Sequence, residues 1–207
     1  MARYTGPAIR LHRRAGIDLG LKGRRGQGER YDKRVTQPPG MHGKSRQKLS
    51  NYGMQLKEKQ KLKWIYGLLE RQFRVLFTKA AKQRGITGEI LIQLLERRLD
   101  NVVYRLLFST SRREARQMVN HGLIYVNGTC VNIPSYTVSA GDKISVRQKE
   151  ATTKRVKASL EKWNDLQIPE WLDLNRETLE AKVLRLPTKA DVVLPVEESQ
   201  IVELYSK

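Results

Sequence analysis

The stretch "SRREARQMVNHG", Ser111 to Gly122, gathers three arginines, a glutamine, an asparagine and a histidine within twelve positions. An arginine fork grips a phosphate through two parallel hydrogen bonds, and Gln or Asn side chains donate to phosphate or sugar oxygens. On a helix, Arg112, Arg113, Arg116, Gln117 and Asn120 would project along neighbouring faces, a footprint about two turns long. Ser111 and the orphan amides of the helix start add backbone donors for an anion. Two readings stand side by side: a solvated basic face, or a surface shaped for a polyanion.

No other cluster offers comparable chemistry. His12, His42 and His121 are the three histidines and sit in different contexts, and Cys130 is the single cysteine. No ligand spacing suggests a metal, so no bound zinc is expected. Cys130 alternates with Val131 in a predicted strand, which predicts a buried structural thiol. There is no phosphate-cradling Gly-Lys-Ser/Thr loop, and the glycines at 16–28 follow no strand. No carboxylate pair stands in an acid–base setting. The expectation is a binding protein with no catalytic residue, metal or cofactor.

Charge favours the polyanion. Forty Lys and Arg stand against 21 Asp and Glu, a net +19 over 207 residues. Residues 1–50 carry net +10, 51–100 net +6, 101–150 net +4 and 151–207 net −1. Solubility alone needs no such asymmetry. Aromatic residues are only 7% of the chain, so phosphate contact should outweigh base stacking. No apolar run approaches ~20 residues, so no membrane span is expected. The start has no apolar stretch of signal-peptide length, which makes the cytosol the expected compartment.

The elements that must position these groups follow from periodicity. Residues 1–45 are rich in Gly, Pro and Arg and form a basic arm, either a disordered tail or a segment that orders on nucleic acid. Helical spacing then begins. Leu62, Ile65, Phe73 and Phe77 recur through 46–84, with Lys57, Lys59, Lys61 and Lys63 on the polar faces and Gly67 as the joint between two helices. A single helix is expected over 87–109, with Thr87 as its N-cap. Ser111 and Glu114 form a capping-box pattern, Ala115, Met118 and Val119 point inward, and Gly122 closes the helix. "LIYVNG" is a strand ending in an Asn-Gly hairpin, "TCVNI" the return strand and "KISVRQ" the next. A helix at 152–163 follows, then "PEWLDLN" and "TLEAKVLRLP" as strand extensions and a short acidic docking helix at 196–206. The fold class is α+β: an irregular basic N-terminal arm at 1–45, a helical domain at 46–96 with the last helix docked on it, and a compact module of helices on a small antiparallel sheet at 97–195, its core at 97–150.

The string "LLERRLDNVVYRLLFSTSRREARQMVNHGLIYVNGTCVNIPSYTVSAGDKISV" resembles the small RNA-binding module of the S4 type. That module also occurs on pseudouridine synthases, some tyrosyl-tRNA synthetases and a heat-shock protein. A pseudouridine synthase would need a second, larger catalytic domain, and a ribosome-associated stress factor would lack the helical stretch at 47–96. "RYTGPAIRLHRR", "PPGMHGKSRQKLSNYGMQLKEKQKLKWIYGLLERQF" and "VELYSK" resemble the S4 family of small-subunit ribosomal proteins, and the likeness covers essentially the whole chain. The resemblance implies a structural protein that binds the 5′ domain of 16S-type ribosomal RNA at a helical junction and nucleates assembly of the particle body. It further implies contact with ribosomal protein S5, a place near the messenger RNA entry region and an influence on decoding accuracy. Some family members hold zinc on four arm cysteines. This arm has none, and His12 stands in a stretch where a cysteine often occurs, so the metal is not carried over. The RNA contacts expected on this basis are Arg3, Tyr4, Arg10, Arg13, Arg14 and Lys22 in the arm, and Lys44, Arg46, Tyr52, Gln55, Lys57, Lys59 and Lys61 in the helical region. On the module they are Arg112, Arg113, Arg116, Gln117, Asn120 and, at the helix end, His121.

Overall fold

The computed structural model describes residues 4–22, 35, 37–41, 43 and 48–206. Arg3, Lys44, Arg46 and the whole of the arm's 23–34 run, and with them the question of the arm's order, lie outside the described residues. In chain order the helices are α1 (Ala8–Ala15), α2 (Asn51–Ile65), α3 (Glu70–Ala81), α4 (Thr87–Glu96), α5 (Leu99–Arg105), α6 (Arg112–Asn120), α7 (Glu150–Lys162) and α8 (Glu198–Tyr205). The strands are β1 (Ile124–Val126), β2 (Thr129–Cys130), β3 (Lys143–Val146), β4 (Leu172–Asn175) and β5 (Glu180–Val183). The chain divides into two compact units, one of residues 1–91 with 194–207 and one of residues 92–193. Among the described residues no helix is long and apolar enough to cross a membrane.

The first unit is helical. Its helix α1 lies inside the arm that periodicity left irregular. Pro7 stands at its N-cap, and Gly16, at φ 74°, closes it with its N–H donating to the His12 carbonyl at 2.8 Å. Proline at the start and glycine past the end is a helix signature that a search for apolar stripes passes over. Leu11, His12, Ala15 and Leu19 are buried there, and the Leu19 amide donates to His12 Nδ1 at 2.9 Å.

Ser50 caps α2 by accepting from the Gly53 amide, and Gly67 ends it in a Schellman turn, Gly67 N–H to Trp64 O and Leu68 N–H to Lys63 O, both at 3.0 Å. Helix α8 contributes buried Ile201, and its Tyr205 stacks on Phe77 with ring centres 4.3 Å apart. The Tyr205 hydroxyl donates to Glu70 Oε1 at 3.0 Å.

Glu70 is also the meeting point of Lys59 (2.8 Å) and Lys63 (3.0 Å). Partial burial works to raise its pKa, but hydrogen bonds from these two lysines outweigh it and hold the carboxyl at about 2. A folded-state pKa below the unfolded one means stability that is present above about pH 4.5 and is lost as pH falls toward 2. Glu70→Gln is therefore expected to lower this unit's melting temperature at neutral pH and to converge with the wild type as pH falls toward 2, which flattens the acid limb. An identical acid limb in the variant would count against the lysine pair.

The second unit is an antiparallel sheet of order β2-β1-β3-β5-β4 carrying helices over one core. Ile124 and Val126 of β1 lie opposite Val146 and Ile144 of β3, and all four are buried, as period-two alternation requires. Asn127 (φ 51°) and Gly128 (φ 79°) make the two-residue turn into β2. The Asn127 side chain holds the adjoining strand end, accepting from the Lys143 amide and donating to Asp142 Oδ1, each at 2.9 Å. Strands β4 and β5 extend the sheet, with Trp171 fully buried beneath.

Two expectations give way here. The helix predicted over 87–109 is broken at Arg97-Arg98, and its first helical residue is Thr87 itself. The backbone at the break is captured by residues 134–138: Val138 N–H donates to Arg97 O at 2.9 Å, and Leu99 N–H to Tyr136 O at 2.8 Å. Tertiary hydrogen bonds override the local helical preference. The return strand is only Thr129–Cys130, and Cys130 is exposed, its thiol donating to the Gly122 carbonyl at 3.4 Å. Cys130 pairs with Tyr125 on an edge strand, so it lies on the face opposite buried Ile124 and Val126, and the last ladder bond, Val131 N–H to Ile124 O at 3.1 Å, follows it.

Candidate nucleic-acid interface

Helix α6 starts and stops as its sequence dictates. Ser111 Oγ accepts from the Glu114 amide at 3.3 Å. Gly122 N–H to Val119 O (2.9 Å) and Leu123 N–H to Met118 O (3.1 Å) complete a Schellman turn that feeds β1. The capping box is half made. The Glu114 carboxylate goes instead to the Thr110 amide and hydroxyl, at 2.8 and 2.6 Å, and to Arg155. Burial works to raise the Glu114 pKa, and the hydrogen bonds from Thr110 and Arg155 prevail and lower it. Ala115, Met118 and Val119 are buried, so the face opposite them is fixed toward solvent.

That exposed face carries Arg113, Gln117 and Asn120, at the i, i+4, i+7 spacing of one helix ridge, with exposed His121 at the cap. Arg116 is not part of it. It is only 5% exposed, and its Nη1 lies 3.5 Å from Asp100 Oδ2, the same carboxylate that Arg98 grips with two bonds of 3.1 and 2.8 Å. Arg112 is also turned aside: its Nε donates to Asn101 Oδ1 at 2.8 Å and its guanidinium sits 4.5 Å above the Tyr104 ring. Asn101 in turn donates to Glu96, which is fully buried and clamped by Arg105 through bonds of 2.9 and 2.8 Å. These arginines form a polar seam tying α4, α5 and α6 together, and the seam sets the angle at which the ridge is presented. Arg116→Ala is accordingly expected to destabilise this unit by about 1–3 kcal/mol through an under-satisfied Asp100, read by urea melting; an unchanged midpoint would return Arg116 to the surface.

The first unit holds a second surface. Arg10 and Arg14, one turn apart on α1, face Gly53, Lys57, Gln60 and Trp64 of α2 across a hollow of about 610 Å³ that Tyr4 also lines. The fold thus brings together Tyr4, Arg10, Arg14 and Lys57, which are scattered along the sequence. Among the described residues no carboxylate pairs with the three cations. Tyr52 and Lys22 are exposed nearby in sequence, whereas Gln55 is buried at 1% exposure. Arg13 is spent on the carbonyls of Gln37 (2.7 Å) and Pro38 (3.1 Å). Lys59 is engaged by Glu70 and the Tyr205 ring, and Lys61 by Glu58.

Helix α3 supplies what the sequence reading missed. Arg71, Arg74, Thr78, Lys79 and Lys82 line a shallow groove around exposed Val75, and none of these four cations pairs with a carboxylate among the described residues. The signal was present as basic residues at i, i+3, i+8 and i+11, hidden by the denser lysine run just upstream. Among the described residues no three His, Cys, Asp or Glu side chains gather into a metal-holding group.

Known proteins match this sequence along its length. Residues 3–96 match the model of the ribosomal protein S4/S9 N-terminal domain, and residues 97–144 match that of the S4 domain. Proteins named small ribosomal subunit protein uS4 from Thermoanaerobacter pseudethanolicus, Halothermothrix orenii and Caldicellulosiruptor saccharolyticus are 52%, 54% and 53% identical to it, each alignment covering all of both chains. With an S4 domain built around the α6 ridge and full-length identity above one half, the chain belongs to the uS4 family of small ribosomal subunit proteins.

Proposed function

We propose that this chain is a structural protein of the small ribosomal subunit in the cytoplasm, binding its ribosomal RNA directly and performing no catalysis. The observation that carries this is a set of cations with no carboxylate partner among the described residues on three surfaces, Arg10, Arg14 and Lys57 at the hollow, Arg71, Arg74, Lys79 and Lys82 on α3, and Arg113 on α6. Cations held apart from carboxylates are available to phosphates. The α6 ridge adds Gln117 and Asn120, whose amides donate to phosphate or sugar oxygens at fixed register. The RNA partner is the 5′ domain of 16S-type ribosomal RNA, met early enough to nucleate the particle body. Ribosomal protein S5 and messenger RNA near the entry region are the further neighbours, and through them the protein contributes to decoding accuracy.

Filter binding of the purified protein to a 5′-domain transcript tests the reading. Tight binding that an unrelated structured RNA of equal length fails to compete is expected. Equal competition by the unrelated RNA would reduce the chain to a general polyanion binder.

A further inference from the structure

The hollow between α1 and α2 differs in kind from the other basic surfaces. The α3 groove offers cations around a single valine, which suits phosphates and carries no sequence information. The hollow has an aromatic wall in Trp64, an amide in Gln60 that both donates and accepts, and a rim of Arg10, Arg14 and Lys57. Its volume of about 610 Å³ falls within the range of small-ligand sites, ~300–1,000 Å³. Sequence-selective RNA recognition works on bases splayed out of the stack, held against an aromatic face and read at their edges.

We propose that this hollow seats one unstacked nucleobase of the bound RNA, with Trp64 as the stacking wall, Gln60 reading the base edge and the three cations holding the flanking phosphates. The proposal rests on the reading of the chain as an RNA-binding protein and adds to it a single-nucleotide site. Arg10 and Arg14, at i and i+4, lie on one side, and Lys57, Gln60 and Trp64, at i, i+3 and i+7, on the other, so the site exists only when α1 is docked on α2.

Gly53 provides a way to close the hollow without touching its charge. It lies in the first turn of α2, and a Cβ added there would meet Ser50 Oγ at 3.4 Å and Leu49 Cδ2 at 3.5 Å, ordinary contacts. A Cβ at this position is therefore accommodated, leucine favours a helix over glycine, and a urea melt of Gly53→Leu checks that the fold is kept.

The test replaces each nucleotide of a 5′-domain transcript in turn by an abasic residue and measures affinity for the full-length protein. One position is expected at which base removal weakens wild-type binding about tenfold, while Gly53→Leu and Gln60→Ala proteins, already weaker on intact RNA, hardly respond to it. Intact RNA should also quench an emission component that Trp64→Phe removes. Failure of the wild-type protein to bind the transcript would sink the RNA reading itself. Tight wild-type binding with no such position, or with equal losses in wild type and both variants, overturns the hollow alone. Quenching of that component by free adenosine monophosphate at micromolar concentration overturns RNA as the occupant.

Discussion

Arg105→Ala is expected to destabilise residues 92–193 by about 3–5 kcal/mol, the cost of leaving a buried carboxylate without its counter-charge. Glu96 has no exposed surface, and Arg105 holds both of its oxygens, at 2.9 and 2.8 Å. Asn101 Nδ2 also donates to it, at 2.8 Å, but an amide is neutral and cannot balance the charge. An ionised carboxylate is then left in a poor solvent with no cation against it from Arg105. Adding Glu96→Gln to the variant removes the orphaned charge and is expected to recover most of the loss. Urea melts of the wild type, the single and the double variant decide the matter. A loss below ~1 kcal/mol in the single variant, against the range expected for a buried pair, would show that water reaches Glu96. Loosening this seam also frees Asn101, which orients Arg112, so the α6 ridge should lose its fixed angle before the sheet melts.

Affinity for ribosomal RNA should fall by about three to five decades between ~50 and ~200 mM salt if roughly 6–10 phosphates are engaged, because each neutralised phosphate releases condensed counterions. The eight cations of the hollow, the α3 groove and the α6 ridge, none of them paired with a carboxylate among the described residues, match that range. The slope should also be divisible. Removing Arg71, Arg74 or Lys82 is expected to lower the log–log slope by roughly 0.7–0.9 each. Lys59 and Lys61, engaged by Glu70 and Glu58, should lower it by much less. Equal effects from the two groups would mean that the intramolecular pairs open on binding. A flat salt profile would place the affinity in base and shape contacts instead.

What was legible in the sequence was what local chemistry decides. The Ser111 cap, the Gly122 stop, the Asn127-Gly128 turn and the alternation of Ile144 and Val146 each rest on residues a few positions apart, and each stands in the fold as read. The errors share one physical origin. Helical spacing says which side chains are neighbours on α6, not what lies across from them. Arg116 meets an aspartate sixteen positions upstream, and Arg112 an asparagine eleven upstream. The same limit hid the break at Arg97-Arg98, made by carbonyls and amides some forty positions later. It also misjudged the lysines. Lys57, Lys59, Lys61 and Lys63 read alike as basic residues on the polar faces, but the last three turn toward Glu70 or Glu58 while Lys57 lines the hollow. Basic residues could be counted from sequence; which of them remain uncommitted could not.

The first unit is stitched from both ends of the chain, residues 1–91 and 194–207, while the second is continuous. A polypeptide emerging from its own synthesis therefore presents the sheet module whole before α8 exists. Until Ile201 and Tyr205 arrive, the rings of Phe73 and Phe77 lack the cover they have in the finished fold. Helix α8 thus closes the helical unit only after the sheet module has been made. A chain halted short of α8 keeps a foldable module but shows apolar rings to chaperones and proteases, which distinguish finished copies from truncated ones by that exposure.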